Sequence, residues 1–136
     1  MQPMKRILMY LLAIVMVAAG ISHFSHPQFF IDIVPTMLPA PERLVAISGV
    51  AEVIGGVGLI VPLTRRAAAW GLVALFVAVF PANINMAVNH ITPSGSEPMS
   101  AVALWMRLPF QGVFIVWAWW FTRPMRSDSE PVVGLE

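Results

Sequence analysis

Four long apolar runs, separated by short stretches rich in proline, glycine and charge, set the plan of this chain. The first covers residues 7–24 and follows Lys5 and Arg6. The second, LVAISGVAEVIGGVGLIVPL, covers residues 44–63. The third follows Arg65 and Arg66 and reaches Val88, and the fourth covers residues 101–121. Each approaches the about 20 residues that an α-helix needs to cross a hydrocarbon core. The pattern predicts an all-α fold: an integral membrane four-helix bundle in a single domain, with helices at about 5–24, 42–62, 66–88 and 101–122. The first run has the basic start of a signal peptide, but it is too long, and no polar mature start follows Ala18, Ala19 and Gly20.

The connections carry their own predictions. Pro27, Pro35, Pro39 and Pro41 exclude a long helix after the first run. Phe29, Phe30, Ile33, Val34, Met37 and Leu38 make the same stretch too apolar for a solvated loop. A Pro-rich re-entrant or interfacial segment is expected there, with a short amphipathic helix over residues 27–34 lidding the bundle. Pro81 predicts an interruption of the third helix at residues 81–83, with Asn83 or Asn85 satisfying the freed backbone groups. NHITPSGSEPMS, residues 89–100, is the plainly polar, turn-rich loop. Trp117, Trp119 and Trp120 form an aromatic belt at the end of the fourth helix, and the tail over 124–136 reads as disordered. Lys5, Arg6, Arg65, Arg66, Arg123 and Arg126 fall on one side of this topology and Arg43 on the other, so both termini are expected to be cytoplasmic.

Composition narrows the chemistry. With 58% apolar and 11% charged residues, and a mean hydropathy of +0.78, a soluble domain is excluded. A net charge of +1 without a basic run offers no nucleic-acid surface. The absence of cysteine removes thiol chemistry, cysteine metal sites and thioether-linked haem. Electrons in any redox role would therefore ride on a cofactor or a partner. No histidine lies mid-helix for a bis-histidine haem, and His23, His26 and Asp32 match no metal template. The nine methionines are scattered as apolar filler. Neither metal nor haem is expected.

Against this apolar background a few polar residues stand out, and the topology gathers them in the outer half of the bundle. Glu52 falls ~15 Å and Arg107 ~10 Å below the outer surface, with Gln111 a turn lower and Asn83, Asn85 and His23 near the helix ends. A carboxylate at that depth costs several kcal/mol unless it faces protein or water, so Glu52 needs a partner. Arg107 is the natural one. Two readings stay open: a structural salt bridge tying the second helix to the fourth, or a pocket in which Arg107 binds an anionic or carbonyl oxygen and Glu52 relays a proton. His23 could shuttle protons near neutral pH. Asn83 and Gln111 could hydrogen-bond a ligand, or repair backbone beside Pro81 and Pro109. Around Glu52, Ser48, Gly49, Ala51, Gly55, Gly56 and Gly58 allow close helix approach, inside the monomer or against a second copy.

The blocks AGISHFSHPQFF, IVPTMLPAPERLVAISGVAEVIGGVGLIVPLTRRAAAWGL, FPANINMA and RLPFQG together resemble the DoxX-like family of small four-helix bacterial membrane proteins. The resemblance covers about residues 19–123 and places the family's shared positions at His23, Pro35, Pro39, Ser48, Gly49, Glu52, Gly55, Arg66, Asn83, Arg107, Pro109 and Gln111. It implies a multi-pass protein of the bacterial cytoplasmic membrane, associated with quinone-linked oxidoreductase complexes. On that basis Glu52, Arg107 and His23 are the expected catalytic residues. Gln111, Asn83, Ser48 and Asn85 are the expected ligand-binding residues, for a quinone or similar small lipophile with a possible redox partner protein. Two alternatives accompany this expectation: a non-enzymatic membrane subunit or assembly factor holding a partner through residues 27–41, and a membrane isomerase or cyclase using Glu52 as general acid.

Overall fold

A computed structural model describes residues 1–124 as five helices: α1 (Pro3–Ser25), α2 (Pro27–Ile31), α3 (Pro41–Ile60), α4 (Arg65–Val88) and α5 (Ala101–Trp120). No strand occurs among the described residues. Prolines open α1, α2 and α3, where a missing N–H costs nothing and the fixed φ suits the first turn. Ser100 caps α5 by accepting the Ala103 N–H at 3.2 Å. Four of the helices, all but α2, are long and apolar enough to cross a membrane.

These four run antiparallel to their neighbours. α1 packs along α3, α3 along α4, and α4 along α5. Side chains on the outer faces are apolar and exposed: Ile14 is 64% accessible, Ile54 66% and Phe110 60%, while Glu52 and His23 are buried. That is the inverse of a water-soluble bundle and suits a lipid solvent. The chain is thus built as a multi-pass membrane protein. One end of the bundle gathers Lys5, Arg6, Arg65, Arg66 and Arg123; it is called the basic end below. At the opposite, lidded end lie residues 26–40 and 89–100.

Glycine sets the closest helix approach. A Cβ on Gly20 would fall 2.6 Å from the Gly49 carbonyl oxygen, and one on Gly56 would fall 2.8 Å from that of Ala13. A second row, Gly55 and Gly58, receives Leu72 and Ala68 of α4. The small-residue faces of α3 are therefore filled within the monomer, by α1 on one side and α4 on the other. Toward the basic end, Met9, Leu12, Leu59, Leu72, Phe76, Ala118 and Phe121 form a core contributed by all four long helices and the turn after α5. A smaller core of Ile33, Met86, Ala87 and Leu104 lies at the lidded end.

Three expectations need correction or qualification. The third helix is not interrupted at residues 81–83: α4 carries Pro81 inside it and continues to Val88. The helix expected over 27–34 is shorter, ending at Ile31, and turns and bends occupy most of residues 32–39. From residue 125 onward, the expected disordered tail lies outside the described residues.

Candidate functional site

The polar residues of the outer-half prediction converge at the lidded end of the bundle. A cavity of about 450 Å³ opens there between α1, α3, α4 and α5, within the range of small-molecule sites. Phe30, Ile33, Val34, Pro35 and Leu38, from α2 and the segment after it, close its end. Its walls are mostly aliphatic and aromatic. His23, Ser48, Glu52, Asn83, Arg107 and Gln111 supply the polar positions.

Glu52 and His23 form one wall. His23 Nε2 lies 3.4 Å from Glu52 Oε2, and the two side chains are only 8% and 10% accessible. This is ion-pair distance without hydrogen-bond alignment, so buried Oε2 has no hydrogen-bond partner. The other ring nitrogen fixes the tautomer. His23 Nδ1 is 3.0 Å from the Val45 carbonyl oxygen, which can only accept, so Nδ1 carries the hydrogen. Ser48 Oγ, 3.0 Å from Nδ1, donates its own proton to that same carbonyl at 2.9 Å. In a neutral imidazole Nε2 would then present a lone pair to the carboxylate. Nε2 and Oε2 thus stand at ion-pair distance beside the cavity with no hydrogen bond between them. Gly49 makes room for the imidazole: a Cβ there would fall 2.7 Å from His23 Cβ. Phe30 stacks on the ring with centroids 3.9 Å apart, joining the lid to the pair.

Arg107 forms the opposite wall. Its Nε donates to Asn83 Oδ1 at a long 3.5 Å. Asn83 Nδ2 donates to Gln111 Oε1 at 3.1 Å, and Gln111 Nε2 donates to the Phe76 carbonyl at 3.0 Å. This bond reaches the Phe76 carbonyl, one residue before the Val77 carbonyl that Pro81 leaves without its helical donor, so neither Gln111 nor the expected asparagines repair that break. Both ends of the Gln111 amide are engaged within the protein. The guanidinium has no other hydrogen bond among the described residues.

The expected Glu52–Arg107 salt bridge is not formed: Glu52 meets His23 and Arg107 meets Asn83. Bundle order explains this. α4 packs against both α3 and α5, which places Glu52 on α3 and Arg107 on α5 at separate walls of one cavity. Asn85 is also placed differently from expectation. It does not line the cavity; its Nδ2 donates to the Ile33 carbonyl at 2.9 Å and its Oδ1 accepts from Asn89.

Asn85 is one of two ties that hold the lid. The other is Asp32, whose carboxylate accepts from Gln28 Nε2 at 2.6 Å, Ser94 N–H at 2.8 Å and Ser94 Oγ at 2.6 Å. The Ser94 hydroxyl, then Gln28, hold this carboxyl below the ordinary carboxylate range. Sequence reasoning missed Phe30, Asp32 and Ser94. The apolar lid was a signal for Phe30, but nothing links Asp32 to Ser94 before the fold brings the two loops together. Among the described residues, no three His, Cys, Asp or Glu side chains cluster as a metal site.

Fold and site together define a class: a four-span membrane helical bundle with a lidded, partly polar cavity at one end. Within that class, residues 12–122 match the family described as Domain of unknown function (DUF8561), and the chain belongs to it. No curated protein and no solved structure matches the chain.

Proposed function

We propose that this protein binds a quinone or similar small lipophile in the lidded cavity and serves a redox-linked role in the bacterial cytoplasmic membrane. In this reading both termini are cytoplasmic, the lidded end faces outward, and the DoxX-like resemblance reflects a shared function. Arg107 polarises a ligand oxygen. Glu52 and His23 carry the proton that accompanies a change in ligand redox state, and electrons come from a partner protein, since the chain has no cysteine. Asn83 and Gln111 hold Arg107 in place, and Ser48 orients His23.

One observation carries this reading: the cavity leaves two charged groups on opposite walls short of hydrogen bonds. Glu52 Oε2 has no hydrogen-bond partner and Arg107 has one long bond. Unmet hydrogen-bonding capacity in a low-dielectric site costs about 1–3 kcal/mol per group, more for charged ones. A purely structural pair would have closed on itself. A quinone oxygen that accepts from Arg107, and that on reduction becomes a hydroxyl able to donate to Glu52, meets both needs. Direct binding of a short-chain benzoquinone to detergent-solubilised protein, by isothermal titration calorimetry, tests this. Arg107→Gln is expected to weaken binding at least tenfold, the loss of one charged hydrogen bond. Equal affinity in wild type and variant would remove Arg107 from the site.

Met37, 87% accessible on the lid, favours a second reading, in which this segment docks a partner subunit. Met37→Ser would then release the partner while leaving lipophile binding unchanged.

A further inference from the structure

The basic end of the bundle carries a second recess, independent of the lidded cavity. It is an open groove of about 850 Å³, lined by Leu8 of α1 and by Gly112, Val113, Val116, Trp117 and Trp120 of α5, with Arg123 at its mouth. A Cβ on Gly112 would meet nothing within 4 Å, so the glycine leaves a trough in the face of α5. Apart from the mouth, the lining is apolar and lies along the membrane-spanning part of α5.

Two cations are held by aromatic faces beside the groove, on Trp119 and Trp120 of its lining. Arg123 stacks its guanidinium 4.1 Å from the Trp119 ring centroid. Lys5 Nζ stands 5.2 Å from the Trp120 ring and 5.7 Å from the Phe121 ring. Stacking uses the face of the guanidinium and leaves its in-plane N–H donors pointing outward. Neither Arg123 nor Lys5 donates a hydrogen bond to another described residue. Arg6, Arg65 and Arg66 share this end, whereas the acidic side chains among the described residues, Asp32, Glu42, Glu52 and Glu97, lie in or toward the lidded end. An apolar trough leading to two positioned cations is complementary to an acyl chain leading to a phosphodiester.

We propose that this groove is a binding site for one anionic phospholipid, its acyl chain lying over Gly112 and its headgroup phosphate held by Arg123 and Lys5. The basic end is where an anionic leaflet is expected, because basic residues collect on the cytoplasmic side.

The test titrates the full-length protein, in a neutral detergent, with phosphatidylglycerol and with phosphatidylcholine of identical acyl chains, and counts bound lipid by native mass spectrometry. One phosphatidylglycerol should bind at least about fivefold more tightly than phosphatidylcholine, the preference of about one basic contact. Arg123→Gln should abolish that preference. Gly112→Leu, whose Cβ meets nothing within 4 Å and whose side chain extends into the trough, should weaken both lipids, and Arg66→Gln should change neither. Equal binding of the two lipids would overturn the proposal, as would an effect of Arg66→Gln equal to that of Arg123→Gln, which marks diffuse charge. Displacement of the bound lipid by inorganic phosphate alone would show a site for the anion without the chain. A dimer mass in place of lipid adducts, or a preference appearing only after Asp128→Asn with Glu130→Gln, would give the groove to a second copy or to the chain's own acidic end.

Discussion

Alanine at Gly49 would place a methyl group where α1 and α3 approach most closely beside the site. The new Cβ would lie 2.7 Å from His23 Cβ and 3.0 Å from both the Gly20 carbonyl oxygen and Phe24 Cε2. Carbon pairs rest at about 3.5–4.0 Å, so roughly 1 Å must be found. Backbone on the Gly20 side cannot rotate away, and the imidazole is fixed by Val45 and Phe30. The helices must separate. Overpacking of this kind costs about 1–3 kcal/mol, offset by the about 0.5–1 kcal/mol that alanine gains over glycine inside a helix. Gly71 on α4 supplies the control, because a Cβ there meets nothing within 4 Å. Gly71→Ala should be neutral or stabilising, and Gly49→Ala should be about 1–2 kcal/mol less stable than wild type. Unfolding of all three proteins in the same detergent, followed by helical circular dichroism, measures both values. A Gly49→Ala protein as stable as Gly71→Ala would refute the close packing of α1 on α3.

The lid and the polar bridge give further predictions. Asp32→Ala should release residues 27–40 to faster hydrogen exchange while costing less than about 1 kcal/mol, since the bonds it loses are near solvent. Because the folded carboxyl is held below its unfolded pKa of about 3.9, its contribution is complete above that pH and fades as pH falls through the lower folded value. Wild type and Asp32→Ala should therefore differ at pH 7 and converge toward about pH 2; a gap that widens in acid contradicts the assignment. Gln111→Leu strands Asn83 Nδ2 and takes the second hydrogen bond from the Phe76 carbonyl, which keeps its helical one, and should cost about 1 kcal/mol. Adding Asn83→Leu should cost less than it does alone, by about 0.5–1 kcal/mol of coupling in a double-mutant cycle, whereas strict additivity would deny the bridge.

Much of the fold is written in hydropathy, and the reason is physical: a membrane-spanning helix must satisfy its own backbone and show apolar side chains to lipid. Observed helix limits therefore fall within about two residues of those expected for the four long helices. Pro81 misled because its effect depends on neighbours. In isolation it breaks a ladder; in the bundle α4 runs on through it, and Gln111 of the adjacent helix adds a hydrogen bond to the Phe76 carbonyl. The charged and imidazole side chains that line the cavity were also visible, since Glu52, Arg107 and His23 are costly against lipid. Their pairing was not visible. Depth along a helix is readable from sequence, but azimuth is not, and similar depth suggested a Glu52–Arg107 bridge that helix order then prevented. Nor can sequence show that a backbone carbonyl, Val45 O, fixes the His23 tautomer.

The central claim is that the lidded cavity holds a lipophile between Glu52 and Arg107. Its most direct test is mass spectrometry of organic extracts from the purified wild-type protein, Glu52→Gln and Arg107→Gln. The account predicts one lipophile, of quinone type, at near one equivalent in wild type and lost from both variants while each keeps its wild-type helical content. A wild-type protein that purifies empty, with both variants unfolding, would contradict it and leave the charged residues of the cavity as structural elements.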